Sequence, residues 1–111
     1  MKHKMKLHNG PFMLIKNGTK TIEMRLNDEK RQLIKIGDTI EFENRVTSEV
    51  LNVQVVNLYK FDNFENLYKT FDKVCLGYNL DDDANPKDME QYYSLFKQDK
   101  YGVLAIEIKL I

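Results

Sequence analysis

The chain has 111 residues, 42% of them hydrophobic, and carries 17 acidic and 17 basic side chains. That length suits one domain with one real core, and zero net charge argues against indiscriminate nucleic-acid binding driven by charge alone. The longest apolar run, Val103 to Ile106, is far too short to cross a membrane, and a lone cysteine, Cys75, leaves neither a disulfide framework nor a cysteine-based zinc site.

In chain order, Lys4 to His8 is expected as a short first strand. Asn9-Gly10-Pro11 breaks it, and Pro11 suits the first turn of a helix. Phe12 and Ile15, with Met13 and Leu14, make an apolar turn that Asn17-Gly18 stops. A strand over Thr19–Leu26 follows, then a polar loop or single helical turn from Asn27 to Gln32. Ile36-Gly37-Asp38 reads as a tight turn into a strand with Ile40 and Phe42 inward and Thr39, Glu41 and Glu43 outward. Asn44 to Ser48 is a hairpin connection. In the long strand beyond it, Leu51, Val53 and Val55 alternate with Asn52 and Gln54 until the apolar parity switches to Val56 and Leu58. That switch predicts a bulge or strong bend, as in small closed barrels where one strand serves two sides.

Asp62 to Phe71 turns helical, with Asp62 as cap and Glu65 three residues on. Its apolar stripe is Phe61, Phe64, Leu67, Tyr68 and Phe71. Val74 to Tyr78 ends this element, and Asn79 to Asn85 is an acidic loop. Asn85-Pro86 starts another helix, with Met89, Tyr92, Tyr93 and Phe96 at i, i+3, i+4 and i+7. Tyr101 to Leu110 closes the chain as a strand with Leu104, Ile106, Ile108 and Leu110 on one face. The fold class expected is α+β: one domain over residues 1–111, a small β-barrel of about five or six mostly antiparallel strands with two or three flanking short helices.

The residues that carry chemistry lie in Gly18-Thr19-Lys20-Thr21-Ile22-Glu23-Met24-Arg25. On a strand, Thr21, Glu23 and Arg25 share one face while Ile22, Met24 and Leu26 share the other. Lys20 has the wrong parity, so it belongs just before the strand, where its long side chain swings over the same surface. Such a row is either an ordinary solvated face or a cleft floor. As a floor, Glu23 accepts from an exocyclic amine while Lys20 and Arg25 hold phosphate or carbonyl oxygens. An acid–base role with a desolvated Lys20 is the other reading. Tyr92, Tyr93 and Tyr101 are candidates to stack a base, with core packing as the competing role.

Charge is unevenly spread: residues 1–35 carry nine Lys/Arg against three Asp/Glu, and residues 36–111 carry eight against fourteen. A basic side near the motif is one reading, chance clustering the other. His3 and His8 read as flexible N-terminal histidines, Asp81-Asp82-Asp83 as a solvated loop lacking a calcium loop's ligand pattern, and Cys75 as a buried thiol. Neither a metal nor a cofactor is expected.

Three segments together resemble the ASCH family (activating-signal-cointegrator homology) of the PUA-like superfamily. Gly18 to Arg25 fits its G-x-K-x-x-E-x-R pattern, Lys35-Ile36-Gly37-Asp38-Thr39-Ile40-Glu41-Phe42 its G-D-x-I-x-F strand entry, and Tyr101 to Ile108 its last strand. The resemblance implies a PUA-like β-barrel with flanking helices and a cleft lined by Lys20, Glu23 and Arg25. The lone Cys75 leads us to expect a reduced, cytoplasmic protein, and the resemblance implies a module binding RNA or a modified nucleoside, with Tyr93 or Tyr101 expected to stack or hydrogen-bond. The alternative it carries is a small amidohydrolase acting on an acylated nucleoside such as N4-acetylcytidine, or a hydrolase acting on RNA, with Lys20 and Glu23 as acid–base pair. In the amidohydrolase branch a nucleophilic Thr stands where this chain has Glu23, and Thr21 is not at the matching position. A third reading makes Glu23 and Arg25 a structural ion pair in an adaptor for another protein.

Overall fold

The structure, a computed structural model, describes residues 1–111. Its five strands are β1 (Lys2–Leu7), β2 (Ile22–Leu26), β3 (Thr39–Asn44), β4 (Val50–Phe61) and β5 (Val103–Leu110). They form one curled sheet in the order β1-β3-β4-β5-β2. Three of the four pairings are antiparallel; β1 and β3 run parallel. β1 and β2 are the two edges and do not pair with each other, so the sheet is a half-barrel with an open seam.

The parity switch in β4 is a bulge between Val55 and Asn57. Before it, Val53 and Val55 point to the concave side with Ile40 and Phe42 of β3; after it, Leu58 points there again, opposite Ile106 of β5. The concave core also holds Met5 and Leu7 of β1 and is plugged by Phe12 and Ile15 of α1 (Asn9–Lys16). Burying each such large apolar side chain stabilises the fold by roughly 1.5–3 kcal/mol.

A second core lies on the convex side. Ile22, Met24 and Leu26 of β2 join Val103 and Ala105 of β5 beneath Phe64 and Leu67 of α2 (Phe64–Thr70), Leu76 of α3 (Lys73–Leu76) and Met89. No helix is long and apolar enough to cross a membrane.

Several boundaries differ from the sequence-based expectation, each for a local reason. The cap of α2 is Asn63, whose Oδ1 accepts from Asn66 N–H at 2.9 Å, and not Asp62. Val74 to Leu76 lies within a separate turn, α3, because Asp72 accepts from Val74 N–H and starts a new helix. The Met89–Phe96 stripe is not one helix. A 3-10 helix, Pro86–Gln91, stops, and Ser94 accepts from Lys97 N–H to start α4 (Leu95–Tyr101), leaving Phe96 74% exposed. Tyr101 therefore ends a helix instead of opening β5. The helices thus outnumber the two or three expected. β2 begins at Ile22, because Thr19 and Lys20 still donate to the Leu14 carbonyl at the end of α1.

Candidate functional site: a charged cleft at the open seam

Directly opposed residues of an antiparallel pair share a face. Glu23 lies opposite Ile106 and Arg25 opposite Leu104, both residues of the concave core. The polar row of β2 is therefore turned into the half-barrel and not toward solvent. Glu23 is 4% exposed and Lys20 6%.

Local structure fixes Lys20 before the strand begins. Gly18, at φ +85°, ends α1, and Thr21 N–H donates to the Cys75 carbonyl. The Lys20 Nζ then donates to the Leu76 carbonyl at 2.9 Å and lies 3.2 Å from Glu23 Oε1. Arg25 holds the other oxygen: Nε and Nη2 stand 2.9 and 2.8 Å from Glu23 Oε2. Arg25 Nη2 also reaches the Lys6 carbonyl on β1 at 3.2 Å.

Burial would push the Glu23 carboxyl up, but Arg25 and Lys20 outweigh it and hold it below the usual carboxylate range. Burial likewise opposes the charge on Arg25, yet Glu23 and the Tyr93 hydroxyl keep the guanidinium protonated. Tyr93 itself is raised by burial. The triad is thus a fixed cation–anion–cation set whose carboxylate oxygens are both engaged.

Above it opens a cleft of about 640 Å³, within the roughly 300–1,000 Å³ range of small-molecule sites. One wall is the end of β1 with Lys6, Leu7 and His8; the facing wall is Gly77, Tyr78 and Asp88 to Tyr93. Five Lys/Arg line it (Lys6, Lys20, Arg25, Arg31 and Arg45) against two carboxylates, Glu23 and Asp88. Four of those five come from the basic N-terminal third. Arg31 is tied to Asp28 at 2.8 Å, while its buried Nε has no partner and is a spare donor.

Of the five residues singled out by the sequence, Lys20, Glu23, Arg25 and Tyr93 line this cleft and Tyr101 does not. Ending α4, Tyr101 is carried to a separate pocket beside Asn27 and Phe61. Tyr93 stacks one ring face on Phe64, centroids 6.2 Å apart. The exposed aromatic pair at the cleft is Tyr92 with His8, centroids 6.4 Å apart. His8 is therefore part of the site, and His3 is pinned: its Nε2 lies 2.8 Å from Asp38 Oδ2. Lys6, Arg45 and Tyr78 had no local sequence signal, because only the closure of β1 and the helices toward β2 brings them together. No group of His, Cys, Asp and Glu is placed to hold a metal ion.

Residues 5–111 match the family model of the ASCH domain. The chain belongs to the ASCH domain family. Its curled five-stranded sheet with flanking helices is the PUA-like fold of that family. Among solved structures, the hypothetical protein PH0355 is 35% identical, with all of both chains covered and a TM-score of 0.85. Protein PF0455 from Pyrococcus furiosus is 34% identical over 100% of this chain and 98% of that one, with a TM-score of 0.72. A mutant ZmASCH protein from Zymomonas mobilis, at 13% identity, shares the fold with a TM-score of 0.72 over 97% of this chain and 67% of its own. No curated protein matches the chain.

Proposed function

We propose that this ASCH domain is a binding module that takes RNA or a modified nucleoside into the seam cleft. The observation that carries the reading is the cleft's two tiers. At the bottom, Lys20 and Glu23 are buried and Arg25 is half-buried, and the three largely neutralise one another. At the rim, Lys6 and Arg45 are exposed cations beside the Tyr92 and His8 rings. Rim cations suit a phosphate backbone, and an exposed ring suits a stacked base. The setting we propose is cytoplasmic, for which the free thiol of Cys75 is the support, and the working unit is residues 1–111.

The hydrolase alternative draws less support. Glu23, standing where the amidohydrolase branch has its Thr, has both oxygens held by cations and a carboxyl depressed below its ordinary value. A general base poised near neutrality needs the opposite. Thr21 does not line the cleft.

Fluorescence anisotropy with a labelled single-stranded RNA, together with NMR titration of nucleosides, tests the binding reading. Tyr92→Ala and Arg45→Ala change exposed residues and leave the triad in place; both are expected to weaken binding. Unchanged affinity in both variants would remove the cleft as the site. Release of cytidine from N4-acetylcytidine by the purified protein would instead favour the hydrolase.

A further inference from the structure

β2 has a main-chain partner on one side only. Its ladder with β5 pairs Glu23 with Ile106 and Arg25 with Leu104. The same ladder runs on past the strand ends, with Ile108 N–H donating to the Thr21 carbonyl at 2.9 Å and Asn27 N–H to the Gly102 carbonyl at 3.0 Å. In an antiparallel ladder alternate residues aim both main-chain groups at the neighbour. Glu23 and Arg25, with the Thr21 carbonyl and the Asn27 N–H, therefore face β5, and the N–H and C=O of Ile22, Met24 and Leu26 face the open edge.

Of those three, only Met24 lines the cleft. Its side chain is packed into the convex core with Leu76 and Met89, which also line the cleft, so the polar groups it can offer there are those of its main chain. The other edge of the sheet does not satisfy these groups, because the Arg25 guanidinium stands between the strands and takes the Lys6 carbonyl itself.

We propose that the Met24 N–H and C=O are the base-reading pair of this cleft, engaging the Watson–Crick edge of a nucleobase. The donor and acceptor of one extended residue point the same way, side by side. They complement an adjacent acceptor and donor on one planar ring: N3 and the 4-amine of cytosine, N1 and the 6-amine of adenine, O4 and N3–H of uracil, or O6 and N1–H of guanine. Glu23, with both oxygens taken, serves to hold Lys20 and Arg25 in place, and the acceptor that meets the base is the neighbouring carbonyl. An added peptide strand would need the edge groups of Ile22 and Leu26 as well, and these do not open on the cleft. The assignment rests on the reading of the cleft as a nucleoside site.

Protein labelled with [15N]methionine reports it directly, since the chain has five methionines and only Met24 and Met89 line the cleft. The probes are the four nucleosides, a single-stranded RNA octamer, and analogues blocked on the same edge: 3-deazacytidine, 1-deazaadenosine, 3-methyluridine and 1-methylguanosine. The expected result is a saturable downfield shift of the Met24 amide proton with at least one nucleoside. Its blocked analogue should bind on the order of tenfold more weakly and leave that proton unmoved. If a nucleoside or the octamer binds, seen at the Arg25 Nε resonance of a second sample labelled with [15N]arginine, while the Met24 amide stays still and blocked analogues bind equally, the assignment is wrong and the cleft reading stands. If no probe moves any cleft resonance, both fall together.

Discussion

Arg25 on β2 reaches Lys6 on β1 across a gap that no strand pairing closes, its Nη2 lying 3.2 Å from the Lys6 carbonyl oxygen. The same guanidinium makes two contacts to Glu23. One side chain therefore both joins the edges of the half-barrel and neutralises the carboxylate inside it.

Arg25→Ala is expected to destabilise the protein by about 3 kcal/mol, because it strands a buried carboxylate with Lys20 as its one remaining partner. Arg25→Lys keeps the charge but loses the two-point contact and should fall between the two. Urea unfolding measures both. Wild-type stability in Arg25→Ala would mean that the ion pair contributes nothing to the fold.

Acid should weaken the fold at the other end of the sheet. The His3 ring, the Lys35 N–H and the N-terminal ammonium hold the Asp38 carboxyl at about 2, from an ordinary 3.8. A carboxyl depressed by folding stabilises the native state above its unfolded value and loses that contribution as pH falls to the folded one. Stability attributable to Asp38 should therefore be flat near neutrality and decline between about 4 and about 2. Asp38→Asn should remove that part of the slope; an unchanged acid limb would show that the contacts around Asp38 are not formed in solution.

Gly77 should resist substitution twice over. Its φ is +108°, and an added Cβ would stand 3.1 Å from Lys20 Cδ. Gly77→Ala is expected to cost about 1–3 kcal/mol and to displace the Lys20 amine from Glu23. Gly10→Ala, where a Cβ meets nothing within 4 Å, should be neutral or slightly stabilising. Thermal melts of the two variants side by side decide it: equal losses would rule out the close approach to Lys20.

Salt should separate the tiers of the cleft. Lys6→Ala and Arg45→Ala should each weaken RNA binding across sequences and lower the slope of log affinity against log salt by roughly 0.7. A salt slope unmoved by both variants would exclude rim contact with phosphate.

Much of this was legible in the chain. Alternation in Thr39 to Glu43, the parity break at Val56 and the Gly18 stop each express a short-range rule, and each has its counterpart in β3, the β4 bulge and the end of α1. Grouping Glu23 with Arg25 also needed only strand parity. Which way that face looks did not follow, because an apolar–polar alternation is the same whether the polar side meets water or the inside of a curled sheet. Tyr101 failed for a related reason: its place depends on Gly102 and α4, and the apolar spacing from Met89 to Phe96 concealed the break that Ser94 makes. Asn63 and Asp62 are both good caps, and neighbouring geometry chose between them.

β2 docks on β5 and on no other strand, and β5 holds residues Val103–Leu110 of a 111-residue chain. During synthesis Lys20, Glu23 and Arg25 leave the ribosome early, yet they have no sheet to lie on until the last strand arrives. The nascent chain is thus without its cleft until β5 has emerged, and a chain that lost β5 would carry every residue of the motif and could not assemble the site.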